Sequence, residues 1–168
     1  MPYNLLKTYN ALLELDGLNP KDRGKSLMGV FDRDIRNNQF FRFQGKQLNP
    51  VTKDGEIPMN TLFTHLTSQI IDQKTREREF EIHRSRRLHW IKHHIDESKK
   101  DNMLVFSVKE PEGFRTYIFD KDENYVIVLE PLRKQNEYYL LTAFHVRGKD
   151  AQRNKFEKKY ARRLPETL

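Results

Sequence analysis

The apolar residues change their spacing near residue 100, and this change limits the possible folds more than any other feature of the chain. After the polar turn "ESKKDN" at 97–102, four runs with an extended period follow closely. They are "MLVFSVK" at 103–109, "FRTYIFD" at 114–120, "YVIVLE" at 125–130 and "YYLLTAFHV" at 138–146. The links "EPEG" and "KDEN" are too short for a crossover, so they require antiparallel hairpins, and "PLRKQNE" makes the third connection. The spacing therefore predicts a four-stranded antiparallel meander.

Upstream, the spacing is helical. Leu5, Leu6, Tyr9, Leu12 and Leu13 predict a helix over 3–15, ended by a left-handed Gly17. Asn19 and Pro20 are an N-cap and first-turn pair for a second helix carrying Leu27, Val30, Phe31 and Ile35, stopped at Asn37-Asn38. "FFRF" at 40–43 reads as a short strand, and 44–57 as a loop. A third helix starts at Pro58 with the stripe Met59, Leu62, Phe63, Leu66 and Ile70. A long helix over 75–97 and a basic C-terminal helix, "DAQRNKFEKKYARR", complete the set. Helices before a meander give an α+β fold in which the helices cover one face of the sheet. We read 1–72 as a helical extension and 73–168 as the principal domain.

Composition narrows the chemistry. The chain has no cysteine, which excludes disulfides, thiol catalysis and thiolate zinc sites. No apolar run approaches a membrane span and no basic-then-apolar leader opens the chain, so a soluble protein without a membrane partner is expected. The formal charge is +7, with nine Lys and Arg against eight Asp and Glu in 1–72, and 22 against 16 in 73–168. The excess in the second half favours a polyanionic partner such as nucleic acid.

Within that half, "FEIHRSRRLHWIKHHIDE" at 80–97 holds four of the six histidines. If it is helical, Arg84, Leu88, Ile91 and Ile95 form one line whose apolar members face the core, and Phe80, His83, Arg87, Trp90 and His94 form a second line at its edge. His89 and His93 have zinc-site spacing, but Trp90 stands where the glutamate of a metalloprotease helix would be, and no spacing points to a third ligand. We expect no metal and no cofactor, and read these two histidines as solvent-facing. Strand alternation places Tyr138, Leu140, Thr142 and Phe144 opposite Tyr139, Leu141, Ala143 and His145, and gives Arg115 and Tyr117 a common face. Histidine, arginine, tyrosine and threonine on a helix and the adjoining sheet suit a phosphodiester site.

The order "HRSRRLHWIKHHI", a polar turn, "TYIFDKDENYVIVLEP" and "YYLLTAFHV" resembles the phage-associated nucleases grouped with barnase, EndoU, the tRNA-cleaving colicins and RelE, the PBECR family. The likeness spans about residues 75–163. It implies a BECR-like, metal-independent endoribonuclease, used as a phage or mobile-element toxin in the bacterial host cytoplasm. RNA is the implied substrate, with tRNA among the candidates. An acidic immunity or antitoxin protein and a phage head-morphogenesis protein are the implied partners. The alternative is a non-catalytic nucleic-acid-binding or head-morphogenesis accessory protein.

The chemistry that the resemblance implies is attack of a ribose 2′-hydroxyl on phosphorus to leave a 2′,3′-cyclic phosphate. It requires a base, an acid and cations for the phosphoryl oxygens. The expected catalytic set is His83 for a proton step, Arg87 and Arg115 as phosphate clamps, Thr142 as a hydroxyl donor, and His145 or Tyr117 for the second proton step. Arg84, Lys92, Arg153, Lys155, Lys158, Lys159, Arg162 and Arg163 are the expected nucleic-acid contacts.

Overall fold

A computed structural model describes the chain from Pro2 to Leu168, with Pro2 and Tyr3 described by backbone alone. The fold is α+β. In chain order, α1 is Pro2–Leu5 and α2 Pro20–Phe31, extended by a π-helical turn over Asp32–Arg36. Next come β1 (Arg42–Phe43), β2 (Lys46–Pro50), α3 (Pro58–Thr67), β3 (Ser68–Asp72) and β4 (Glu77–Phe80). α4 (Ile82–Ser85) and α5 (Trp90–Ile95) precede β5 (Met103–Glu110), β6 (Gly113–Asp120), β7 (Tyr125–Leu132) and β8 (Glu137–His145). α6 (Gly148–Gln152) and α7 (Lys155–Ala161) follow.

The main sheet has six strands in the order β1-β2-β8-β7-β6-β5 and is mixed, which corrects the expected four-stranded antiparallel sheet. β5 to β8 pair antiparallel in sequence. β2, which lies within the segment read as a loop, joins parallel to β8 through Leu48↔Tyr138, Asn49↔Tyr139 and Pro50↔Leu140. Leu48 was the available signal: it is a lone apolar residue, 3% exposed, between polar neighbours. β2 stops at Leu140, so the part of β8 beyond it has no strand on that side.

Both faces of the sheet are covered, where one was expected. Ile118, Ile127, Leu129, Leu140 and Ala143 share a core with Phe31, Leu66, Leu88, Trp90 and Ile91. Phe106, Val108, Tyr117, Phe119 and Val126 pack with Phe156 of α7 on the other face. The nearly continuous burial along β6 reflects a strand enclosed on both sides. Residues 1–72 are not a separate unit in packing terms, because Leu13, Leu27, Phe31, Leu48 and Leu66 belong to the first of these cores.

Three helical expectations are corrected. The helix over 3–15 ends at Leu5, and Asn10 takes φ 74. The segment instead lies along the end of α4 and the start of α5, where Trp90 Nε1 donates to the Ala11 carbonyl (3.0 Å) and Leu13 N to the Arg86 carbonyl (2.9 Å). Buried Asn4 clasps it by accepting from Glu14 N (2.8 Å) and donating to the Glu14 carbonyl (3.0 Å). Tertiary partners thus supply the backbone hydrogen bonds that a helix would have provided.

The long helix over 75–97 is absent. Glu77–Phe80 pairs with β3, which also takes Ile70 out of the third helix. Arg78 explains the pairing: its Nε donates to Ser68 Oγ (2.8 Å) and its Nη2 to the Ser68 carbonyl (2.9 Å). Glu81 then caps α4, accepting from His83 N (2.7 Å) and Arg84 N (3.1 Å). Between α4 and α5 the bonds Arg87 N to Arg84 O and Leu88 N to Ser85 O are of the tighter i to i−3 kind. The basic C-terminal helix is likewise divided, by Asn154 at φ 52.

Candidate active site

α4 lies beside the part of β8 that β2 leaves unpaired, so the histidine-rich segment faces the end of that strand. His83 of α4 and His145 at the end of β8 stand with ring centroids 6.4 Å apart. A cleft of about 490 Å³ opens beside them, lined by Gln69, Glu81, Arg84, His145 and Arg147 among others. Arg87 is 9% exposed. Its Nη1 donates to the His83 carbonyl (2.7 Å), its guanidinium lies 5.2 Å from the Trp90 ring centroid, and its Nε has no hydrogen-bond partner among the described residues.

The cluster is strongly cationic. Arg84 and Arg147 share a single carboxylate, Glu81, at 3.5 and 3.9 Å, and Glu81 is already engaged by the α4 backbone. Arg86 Nη2 donates to His83 Nδ1 (3.4 Å). These surroundings hold both imidazoles toward their neutral form. Burial and then the Arg87 charge lower the His145 pKa to about 4. Burial and then Arg147 lower that of His83.

Thr142 lies beside this cluster, and its hydroxyl is engaged within the protein. Its Oγ1 donates to the His65 carbonyl (3.3 Å) and accepts from Arg84 Nη1 (3.4 Å), while Arg84 Nη1 also donates to the His65 carbonyl (3.0 Å). The hydroxyl proton is directed to the end of α3, and Thr142 positions Arg84. Arg84, expected as a nucleic-acid contact, lines the cleft, while Leu88, Ile91 and Ile95 beyond the change in pitch are buried in the core.

β8 is irregular. Its register shifts opposite Val128 and Leu129, with Thr142 facing Val128 and Leu140 facing Leu129, so Leu141 is a bulge. The expected alternation fails there: Leu140 shares a face with Ala143 and His145, and Thr142 with Phe144. Thr142 and His145 remain on opposite faces, and α4 passing the strand edge brings both near the arginines.

Arg115 and Tyr117 lie elsewhere, in a separate hollow of about 310 Å³ beside α7. Arg115 pairs with Glu130 (3.4 Å). Tyr117 donates to Glu110 Oε1 (2.9 Å), and burial followed by that carboxylate raises its pKa well beyond the ordinary tyrosine range. Glu110 also takes Lys159 and Arg162, and Lys155 pairs with Asp150. Arg163 stacks on Tyr160 at 4.0 Å. Lys92 is bound to Asp96 one helical turn away. Arg153 and Lys158 are exposed.

His89 is buried rather than solvent-facing, with Nε2 3.2 Å from the Thr8 carbonyl, and His93 stacks on Tyr9 with centroids 4.1 Å apart. Among the described residues no group of three or more histidines and carboxylates gathers as a metal site would require. None of their helices is long and apolar enough to cross a membrane. His65, Glu81 and Arg147 are site residues the sequence reading missed. Arg147, two residues beyond His145, was the most accessible of them.

Scans of protein-family models, curated proteins and solved structures find no match to this chain.

Proposed function

We propose that the protein is a metal-independent endoribonuclease that cleaves RNA by 2′-hydroxyl transesterification. The reading rests on one observation, the pair of imidazoles of His83 and His145 held 6.4 Å apart beside an arginine-lined cleft. His145, the imidazole kept neutral by burial and Arg87, is in the state needed to take the 2′ proton. His83 delivers a proton to the departing 5′-oxygen. Arg84 and Arg147, which line the cleft, present planar, permanently charged donors to the phosphoryl oxygens as charge accumulates there, and buried Arg87 adds positive potential from behind. The same anion neutralises the cations that depress the histidines, so substrate binding raises the fraction of His83 that is protonated.

In this reading Arg115 and Tyr117 leave the catalytic set, Thr142 becomes a positioning residue, and His145 takes the second proton step. The likeness to the PBECR nucleases supports a BECR-like meander as the catalytic scaffold. It also supports a phage or mobile-element effector acting in a host cytoplasm, where an acidic inhibitor would meet the arginine-lined cleft with complementary charge.

Incubation with total RNA in EDTA is the test. Cleavage with 2′,3′-cyclic phosphate ends supports the proposal. RNA bound but not cut would make this a non-catalytic binding protein, and 5′-phosphate ends or dependence on added metal would overturn the chemistry.

A further inference from the structure

A second cleft, of about 400 Å³, adjoins the first and shares Gln69 and Arg84 with it. Its other polar lining comes from His65, Gln73, Arg78 and Thr142. It lies between the β3–β4 hairpin and the part of β8 around Leu141 and Thr142, beyond the end of β2. Arg84 forms the partition. Its Nη1 is fixed by the His65 carbonyl and Thr142, so a single guanidinium is presented along the boundary of both clefts.

The chemical character of the second cleft differs from that of the first. The first sets His145, Arg84 and Arg147 against Glu81 and Asp150; the second has no carboxylate among the described residues and carries two primary amides, Gln69 and Gln73. Gln69 is exposed on β3, and its carboxamide makes no hydrogen bond among the described residues, so one donor and one acceptor edge are both available. Gln73 is oriented by Arg76, whose Nη1 donates to Gln73 Oε1 (3.2 Å), leaving the Gln73 amide nitrogen as a donor. Arg78 is committed to Ser68 and adds positive potential without being free to move. The volume is within the range of about 300–1,000 Å³ usual for small-ligand pockets, enough for one nucleotide.

A carboxamide pairs in bidentate fashion with adenine, accepting from N6 and donating to a ring nitrogen. Single-stranded RNA offers such edges because its bases can be splayed away from the strand. We propose that the second cleft is a base-reading subsite for a nucleotide flanking the scissile phosphate, in which Gln69 pairs with an adenine edge and Gln73 adds a further donor. Arg84 then lies at the phosphate between the two nucleotides. This inference rests on the ribonuclease reading for its placement next to the scissile bond, but the subsite itself can be tested without cleavage.

Two measurements separate the ideas. Relative kcat/KM is determined for four RNA tetranucleotides differing only in the flanking base, with wild type, Gln69→Ala and Gln73→Ala. Binding of fluorescent 2′-O-methyl versions, which cannot undergo transesterification, is followed by anisotropy. Wild type should favour adenine by on the order of tenfold. Gln69→Ala should remove most of that preference, and Gln73→Ala part of it. The readout is a ratio within one protein, so a general loss of activity or of folded protein does not imitate the result. If no cleavage occurs but a Gln69-dependent adenine preference persists in binding, the subsite stands and the ribonuclease reading falls. An indifferent wild type, or an adenine preference unchanged in Gln69→Ala, overturns the inference.

Discussion

The imidazoles of His83 and His145 belong to elements 62 positions apart in the chain, yet their planes are inclined by only 33° with centroids 6.4 Å apart. In the proposed reaction a phosphodiester meets one ring at each of its reacting oxygens. His83→Ala and His145→Ala should each lower RNA cleavage by on the order of a hundredfold or more, and the double variant should lose much less than the product of the two. Multiplicative losses in single-turnover assays would argue against a shared proton-transfer unit.

The pH profile follows from the direction of the two shifts. Both histidines titrate below their ordinary value in the free protein, His145 at about 4. The base must be neutral and the acid protonated, so kcat/KM should peak on the acidic side of pH 6.5. The profile of kcat should lie higher, because the bound phosphate favours the imidazolium. A kcat/KM optimum above pH 8 would be incompatible with this pair.

Thr142 should act by positioning Arg84, and Tyr117 should be structural. Thr142→Val removes the hydroxyl between Arg84 and the His65 carbonyl and should cost about 0.5–1.5 kcal/mol of stability by urea unfolding. Tyr117→Phe removes a donor to Glu110 and should cost about 1–3 kcal/mol, with kcat/KM unchanged within a few-fold.

Glu110 links the sheet to α7, and its effect on stability has a definite sign. Burial opposes its ionisation, but Lys159, Tyr117 and Arg162 hold its pKa at about 2, against 4.5 for a free glutamate. A depressed carboxylate stabilises the fold fully above the unfolded value, and that contribution is lost as pH falls from about 4.5 towards 2. Unfolding measured across this interval should become steeply acid-sensitive, and Glu110→Gln should flatten the dependence.

The exposed cations of the C-terminal region can be separated by their partners. Arg153→Gln and Lys158→Gln should weaken RNA binding and reduce the salt slope by about 0.7 for each lost phosphate contact, with little change in melting. Lys159→Gln should instead destabilise the fold, because it leaves Glu110 short of a partner. An unchanged slope in the first pair would place the RNA path away from α6 and α7.

The sequence by itself determined the parts of the fold that depend on neighbours in the chain. The Asn19-Pro20 helix start is observed, with the Asn19 side chain accepting from Asp22 N. The extended runs after residue 100 are strands within one or two residues of their expected bounds, because their period and short links leave little choice. His83, Arg87 and His145 were also legible as residue types suited to phosphodiester chemistry. Whether they share a cleft was not, since that depends on where β2 stops along β8 and on the path of α4 past the strand edge.

Only the tertiary structure decided the rest. A continuous helix over 75–97 satisfies local spacing, but Arg78 binding Ser68 and Glu81 capping α4 favour a hairpin and a broken helix. Tyr117 and Arg115 lie in a different hollow from His83 and His145, where Glu110 and Glu130 engage them. A pattern of residues specifies which groups a chain carries; burial and ion pairing, which join positions far apart in the chain, decide which of those groups remain free to react.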